Sequence, residues 1–281
     1  MNLTWWQGLF LGLVQGLTEF LPISSSGHLV LAEELVGFRP QGVFFEVMVH
    51  VATLLSVIFA YRVRIAGLAR GMWSGGRDAW RYVAMLVLAS IPAALAGLVF
   101  RDYFERSFHS LGALSWQFLV TAALLWSTKW AAGQQDGEVQ GARSNAGPLA
   151  PRTLDLGPCP TPFQALVLGI AQAFAIIPAI SRSGATIAAG LWLGMPAVAA
   201  AEFSFLMSII VIAGSGAIEA RQLVSGSQMI TPGLLTAFVA AMISGLLAIY
   251  FLVALLRRGK FHYFAPYCVV VGLLCLLWFA R

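Results

Sequence analysis

The chain has 281 residues, of which 59% are hydrophobic and only 10% charged, and its mean hydropathy is +0.82. Soluble domains carry about 25% charged residues, so this balance excludes an ordinary soluble fold and describes an integral membrane protein with several spans. The formal charge of +5 is small and scattered, which excludes nucleic acid as a partner.

The first predicted element, residues 7–28, reads QGLFLGLVQGLTEFLPISSSGH. Some 15 apolar residues at helical spacing run into Pro22, three serines, Gly27 and His28, and a second short apolar run follows. Gly8, Gly12 and Gly16 make an i, i+4, i+8 stripe of the kind that lets a neighbouring helix approach closely. Gln15 and Glu19, spaced i, i+4, share a helix face just before the break. Glu33 and Glu34 close the element, facing outward.

Crossing roughly 30 Å of hydrocarbon takes about 20 apolar residues. Three such runs follow, at residues 43–61, 82–100 and 114–130. Glu46 and His50 (i, i+4), with Thr53, lie early in the first; they either line a cavity or pack helices. Residues 131–162 are rich in Gly, Gln and Pro and read as a cytoplasmic linker. His109 and His262 fall in loops. The next element, residues 164–185, reads QALVLGIAQAFAIIPAISRSGA, and an offset of 157 aligns it with residues 7–28 without a gap, nine of the 22 positions being identical. Three more spans complete the chain, at 198–218, 234–255 and 264–280, with Glu202 and Ser204 at the start of the first. The three cysteines, Cys159, Cys268 and Cys275, have no metal-ligand spacing. The N-terminus lacks a basic n-region and reads as mature structure.

The duplicated stretches are too interrupted to be plain spans. Two kinked spans are one reading; two re-entrant helical hairpins fit better, because a helix broken at mid-depth frees backbone groups that only protein or water can satisfy. With hairpins, the loops place 11 Lys and Arg on one face and five on the other, Arg182 lying within the second hairpin. The positive-inside rule makes the first face cytoplasmic. Three spans separate the hairpins, so they approach from opposite sides. The predicted fold is therefore an all-α polytopic membrane protein, an inverted-topology repeat with two re-entrant hairpins and about six transmembrane helices. Residues 1–130 form the first repeat, 131–162 the linker and 163–281 the second repeat.

Polar residues collect at the two breaks. Ser24, Ser25 and Ser26 precede Gly27 and His28; Ser181, Arg182 and Ser183 precede Gly184 and Thr186, and Arg182 aligns with Ser25. Free N–H groups at a helix N-terminus suit phosphate, and arginine adds a forked cation. One such residue is readily structural; equivalent clusters in both copies point to a shared site. One carboxylate, one imidazole, one guanidinium and several hydroxyls suit phosphoryl transfer to a serine or to water.

On these residues the chain resembles the bacterial undecaprenyl-pyrophosphate phosphatases of the bacitracin-resistance type. The family pattern of Glu or Gln, three residues, then Glu corresponds to Gln15 and Glu19, and the Pro-x-Ser-Ser-Ser/Thr-Gly-His pattern to Pro22 through His28. The Pro-Gly-x-Ser-Arg-Ser-x-x-Thr pattern corresponds to Pro178 through Thr186, and Glu202 through Leu206 is also similar. The likeness covers the chain outside the linker. Ala179 departs from the motif glycine, and Gln15 takes the neutral option, leaving Glu19 the one motif carboxylate.

The resemblance implies removal of the terminal phosphate of a polyprenyl pyrophosphate with a divalent cation, Mg²⁺ or Ca²⁺, recycling the lipid carrier of cell-wall synthesis and giving bacitracin resistance. Arg182 would clamp phosphate, Ser25 is the first candidate nucleophile, and His28 the acid or base. Glu19, with Gln15, would bind the cation or orient the nucleophile. Ser24, Ser26, Ser181, Ser183 and Thr186 would donate hydrogen bonds. A phosphorylated His28, or direct attack by water, stays open. The expected partners are the pyrophosphate lipid and membrane lipid, with a homodimer open, and the expected location is the bacterial inner membrane with the site facing outward. A secondary transporter or polyprenyl-phosphate flippase is the alternative.

Overall fold

Thr4 and Thr161, 157 positions apart, start the two duplicated helices in the same way. Each is an N-cap whose hydroxyl accepts from the amide three residues on, while that residue's side chain, Gln7 or Gln164, reaches back to the cap. The computed structural model describes residues 3–40, 44–99, 111–131, 159–177, 180–223 and 231–279. Most of the expected linker (132–158), His109, and Pro178 and Ala179 of the second motif lie outside these.

Eleven α-helices run in chain order among the described residues: α1 (Trp5–Phe20), α2 (Ser25–Val36), α3 (Phe44–Ala60), α4 (Arg62–Trp73), α5 (Arg77–Val99), α6 (Leu111–Ser127), α7 (Pro162–Phe174), α8 (Arg182–Trp192), α9 (Ala197–Leu223), α10 (Pro232–Leu256) and α11 (Ala265–Phe279). Short 3₁₀ turns occupy Thr128–Trp130 and Phe261–Phe264. No strand occurs among the described residues.

The capping glutamines also close both hairpins. Gln7 Nε2 donates to the carbonyl of Val36 at 3.0 Å, and Gln164 Nε2 to that of Leu193 at 3.3 Å. These acceptors too are 157 apart. The base of α1 is thereby tied to the end of α2, and the base of α7 to the region just past α8, so each element folds back on itself. The two breaks are left at the far ends.

The small-residue stripe of α1 packs along α10. A Cβ on Gly8 would stand 1.9 Å from the Gly233 carbonyl oxygen, one on Gly12 2.2 Å from that of Ala237, and one on Gly16 2.1 Å from Ser244 Oγ. The second copy does the same against α5, where a Cβ on Gly169 would lie 2.4 Å from the Ala89 oxygen. Each duplicated helix thus rests on a long helix from the other half of the chain, and this exchange brings the two breaks together.

Among the described residues four helical stretches are long and apolar enough to cross a membrane by themselves: Arg77–Val99, Ala197–Gly214, Pro232–Leu256 and Phe261–Trp278. The α3–α4 pair makes a fifth, bent by 73°. The six expected spans are all helical, as α3, α5, α6, α9, α10 and α11. Helices α3 and α6 have 17 residues each, which at 1.5 Å per residue is about 26 Å, the short limit for a span. Helix α4 lies between the spans expected at 43–61 and 82–100; with Arg62, Arg64 and Arg70 it cannot follow the apolar axis of α3, and the chain turns at Tyr61. Large apolar side chains project from the outer helices, among them Leu247, Leu274, Leu277 and Trp278, each at least 60% exposed. A surface so apolar belongs in lipid.

Candidate active site

Glu19 is the centre of the polar residues at the breaks. It ends α1, and its side chain is only 4% exposed. Bare burial of a carboxylate is costly, and the surrounding groups offset it. Ser25 Oγ donates to Glu19 Oε2 at 2.6 Å, and Gln15 Nε2 donates to the same oxygen at 3.0 Å. From the opposite hairpin, Arg182 Nη2 pairs with Glu19 Oε1. His50 Nε2, on α3, stands 3.7 Å from Glu19 Oε2. One carboxylate thus gathers a hydroxyl, an amide, a guanidinium and an imidazole from four helices.

Two atoms here are buried without a hydrogen-bond partner: Gln15 Oε1 and Arg182 Nη1. Buried polar groups are rarely left so. An amide oxygen suits a hard cation and a guanidinium N–H suits a phosphate oxygen, so the pair offers what a metal-bound pyrophosphate would need. Among the described residues no three His, Cys, Asp or Glu side chains cluster as a complete metal cage. Glu19 and Gln15 Oε1 are the oxygens here that would hold a divalent cation.

The other hydroxyls mainly build the tips. Ser24 and Ser181 cap α2 and α8, accepting from the amides of Gly27 at 3.4 Å and Gly184 at 3.0 Å. Ser26 lies 3.4 Å from Ser24 Oγ, and Ser183 3.2 Å from Ser181 Oγ. Ser183 Oγ donates to the Leu21 carbonyl at 3.2 Å, tying one tip to the other. Thr186 is fully buried and bonds Ser204 Oγ at 2.6 Å and the Arg182 carbonyl at 2.8 Å.

His28 is placed apart from this group. Its Nδ1 bonds the Ser24 carbonyl at 2.7 Å and its Nε2 the Tyr267 hydroxyl at 2.8 Å. Expected beside Ser25 as acid or base, it faces α6 and α11, and the group that Ser25 donates to is Glu19. His50, which sequence left balanced between cavity and packing, is the imidazole at the carboxylate. Tyr267 carried no polar signal in an apolar run. Glu202, expected at the start of a span, is paired with Arg64 at 2.7 Å, and Arg64 also stacks over the Tyr82 ring at 4.7 Å. That cluster ties α4, α5 and α9 together.

Residues 8–274 match the family described as bacitracin resistance protein BacA. The chain belongs to that family. A protein named undecaprenyl-diphosphatase from Carboxydothermus hydrogenoformans is 36% identical over 275 residues, 96% of each chain. One of the same name from Korarchaeum cryptofilum is 37% identical over 278 residues, covering 95% of this chain and 96% of that one. A third, from Salinibacter ruber, is 36% identical over 287 residues, 96% and 97% of the two.

Proposed function

We infer that this multi-pass membrane protein is an undecaprenyl-diphosphatase, hydrolysing undecaprenyl pyrophosphate to the monophosphate and inorganic phosphate. Family membership and relatives bearing that name along nearly their whole length support it. No observation favours the transporter or flippase alternative.

The observation that carries the mechanism is the 2.6 Å bond from Ser25 to Glu19. Glu19 takes the Ser25 proton as Oγ attacks the terminal phosphorus. The Oγ–P bond forms while the bond from phosphorus to the bridging oxygen breaks, and the polyprenyl monophosphate leaves. Water then attacks the phosphoserine, the P–Oγ bond breaks, Glu19 returns its proton to Ser25 Oγ, and inorganic phosphate departs. Arg182, already held by Glu19 through Nη2, turns Nη1 to the phosphoryl oxygens and stabilises charge as it develops. Both Ser25 and Arg182 open a helix, α2 and α8, whose N-terminal dipole favours an anion. A divalent cation held by Glu19 and Gln15 Oε1 would neutralise part of the pyrophosphate charge.

The two hairpins are read as re-entrant from opposite faces of the bacterial inner membrane, with the site open outward. The loop charge asymmetry supports that orientation, and the matched glutamine clamps support two equivalent elements. The test is phosphate release by the purified protein in detergent, with rapid quench and peptide mass spectrometry for phosphoserine at Ser25. Turnover preserved in Ser25→Ala would pass the attack to water.

A further inference from the structure

His28 and Ala185 hold equivalent places in the two hairpins, and the caps four residues before them differ in backbone. Ser181, the cap of α8, is extended at φ −69°, ψ 117°. Ser24, the cap of α2, sits at φ 74°, ψ 102°, the one non-glycine with positive φ among the described residues. A serine there is strained and persists only if its surroundings hold it. The tip with the strained cap is the tip that carries the nucleophile candidate.

The hold comes from His28. The Ser24 carbonyl accepts twice from it, from the backbone N–H at 3.3 Å and from ring Nδ1 at 2.7 Å. A carbonyl only accepts, so Nδ1 carries the proton. In the neutral ring Nε2 is then a bare acceptor, and the Tyr267 hydroxyl donates to it at 2.8 Å. The ring is further fixed in plane, stacked on Tyr267 at 5.6 Å and 9° and met edge-on by Phe118 at 5.1 Å. In the second hairpin the Ala185 N–H donates to the Ser181 carbonyl at 2.8 Å, but alanine has no ring to add the second bond, and there the cap is relaxed.

We propose that Tyr267 and His28 are positioning residues: the tyrosine sets the tautomer and plane of His28, and His28 holds the strained Ser24 carbonyl so that Ser25 points at Glu19. This rests on the reading of Ser25 as nucleophile. It gives His28 a role through a backbone carbonyl, with the lone pair that a general base would use already taken by Tyr267.

The test combines ¹⁵N-histidine NMR with kinetics on the full chain in detergent, His28 being assigned by its loss in His28→Gln. Wild type should show His28 protonated at Nδ1. Tyr267→Phe, which keeps the ring stack, should admit the other tautomer and lower kcat about two- to twelve-fold at unchanged KM, the effect of one hydrogen bond. His28→Gln keeps an N–H donor for the Ser24 carbonyl and should retain at least about five-fold more kcat than His28→Ala. A wild-type His28 protonated at Nε2, a Tyr267→Phe variant unchanged in tautomer and kcat, or a folded His28→Gln as inactive as His28→Ala would each overturn the proposal. Turnover surviving in Ser25→Ala would instead remove the nucleophile reading and leave the tautomer result standing.

Discussion

Replacing Arg182 by lysine keeps the charge and removes the fork, and the site makes the consequence calculable. Arg182 uses Nη2 on Glu19 while Nη1 is buried with no hydrogen-bond partner. The two nitrogens can serve carboxylate and phosphate at once; a lysine Nζ is a single point on a flexible stem and cannot hold both in plane. Loss of a preorganised donor aimed at developing charge costs about 10²–10³ in rate, or ~2.7–4 kcal/mol. Folding should survive, because a cation still faces Glu19. In Arg182→Ala a carboxylate 4% exposed would stand without its countercharge, a loss of about 3–5 kcal/mol. The assay is phosphate release by the purified variants, with a thermal melt in the same detergent. Arg182→Lys should lose activity at near-normal Tm, and Arg182→Ala should lose both. Turnover of Arg182→Lys within about five-fold of wild type would remove the clamp role.

Glu19→Gln should abolish proton acceptance from Ser25, with a fall in kcat of about 10²–10⁴, and should weaken the response to added Mg²⁺ or Ca²⁺; an unchanged cation titration would place the metal elsewhere. Gly12→Leu should cost about 1–3 kcal/mol of stability or more and lower the Tm, since even a Cβ there would stand 2.2 Å from the Ala237 oxygen, whereas Gly97→Ala, with nothing within 4 Å, should be silent; equal melts would deny that the α1–α10 contact is tight. Ser25→Cys, with Cys268 and Cys275 replaced and Cys159 replaced or left as a slow competitor (burial pushes its thiol up), should be labelled by an impermeant thiol reagent in intact spheroplasts. Labelling from inverted vesicles alone would reverse the orientation.

Much of this protein was legible without coordinates, and for identifiable reasons. Water is absent from the hydrocarbon, so apolar runs declare most of the spans. Duplication is visible as a constant offset, and the Thr-x-x-Gln caps at Thr4 and Thr161 are local motifs whose geometry needs no partner. Glu19, Ser25 and Arg182 stood out because polar residues at membrane depth are expensive. Helix α4 leaves no hydropathy signal, because its arginines interrupt the apolar run while its backbone bonds are satisfied locally, and no apolar pattern marks a 73° turn.

Which polar group meets which was decided only by packing. His28 and His50 look alike in the chain: each sits on a helix with Nδ1 on the carbonyl four residues back. The tertiary structure sets α3 against α1, so that His50 reaches Glu19, and turns His28 toward Phe118 of α6 and Tyr267 of α11. The pairing of Arg182 with Glu19, 163 residues apart, likewise depends on α1 resting on α10 and α7 on α5. Local sequence determines caps, breaks and which residues are polar, because those depend on groups a turn away. The facing of two helices depends on close-packed small residues distant in the chain, and only the folded molecule brings those together.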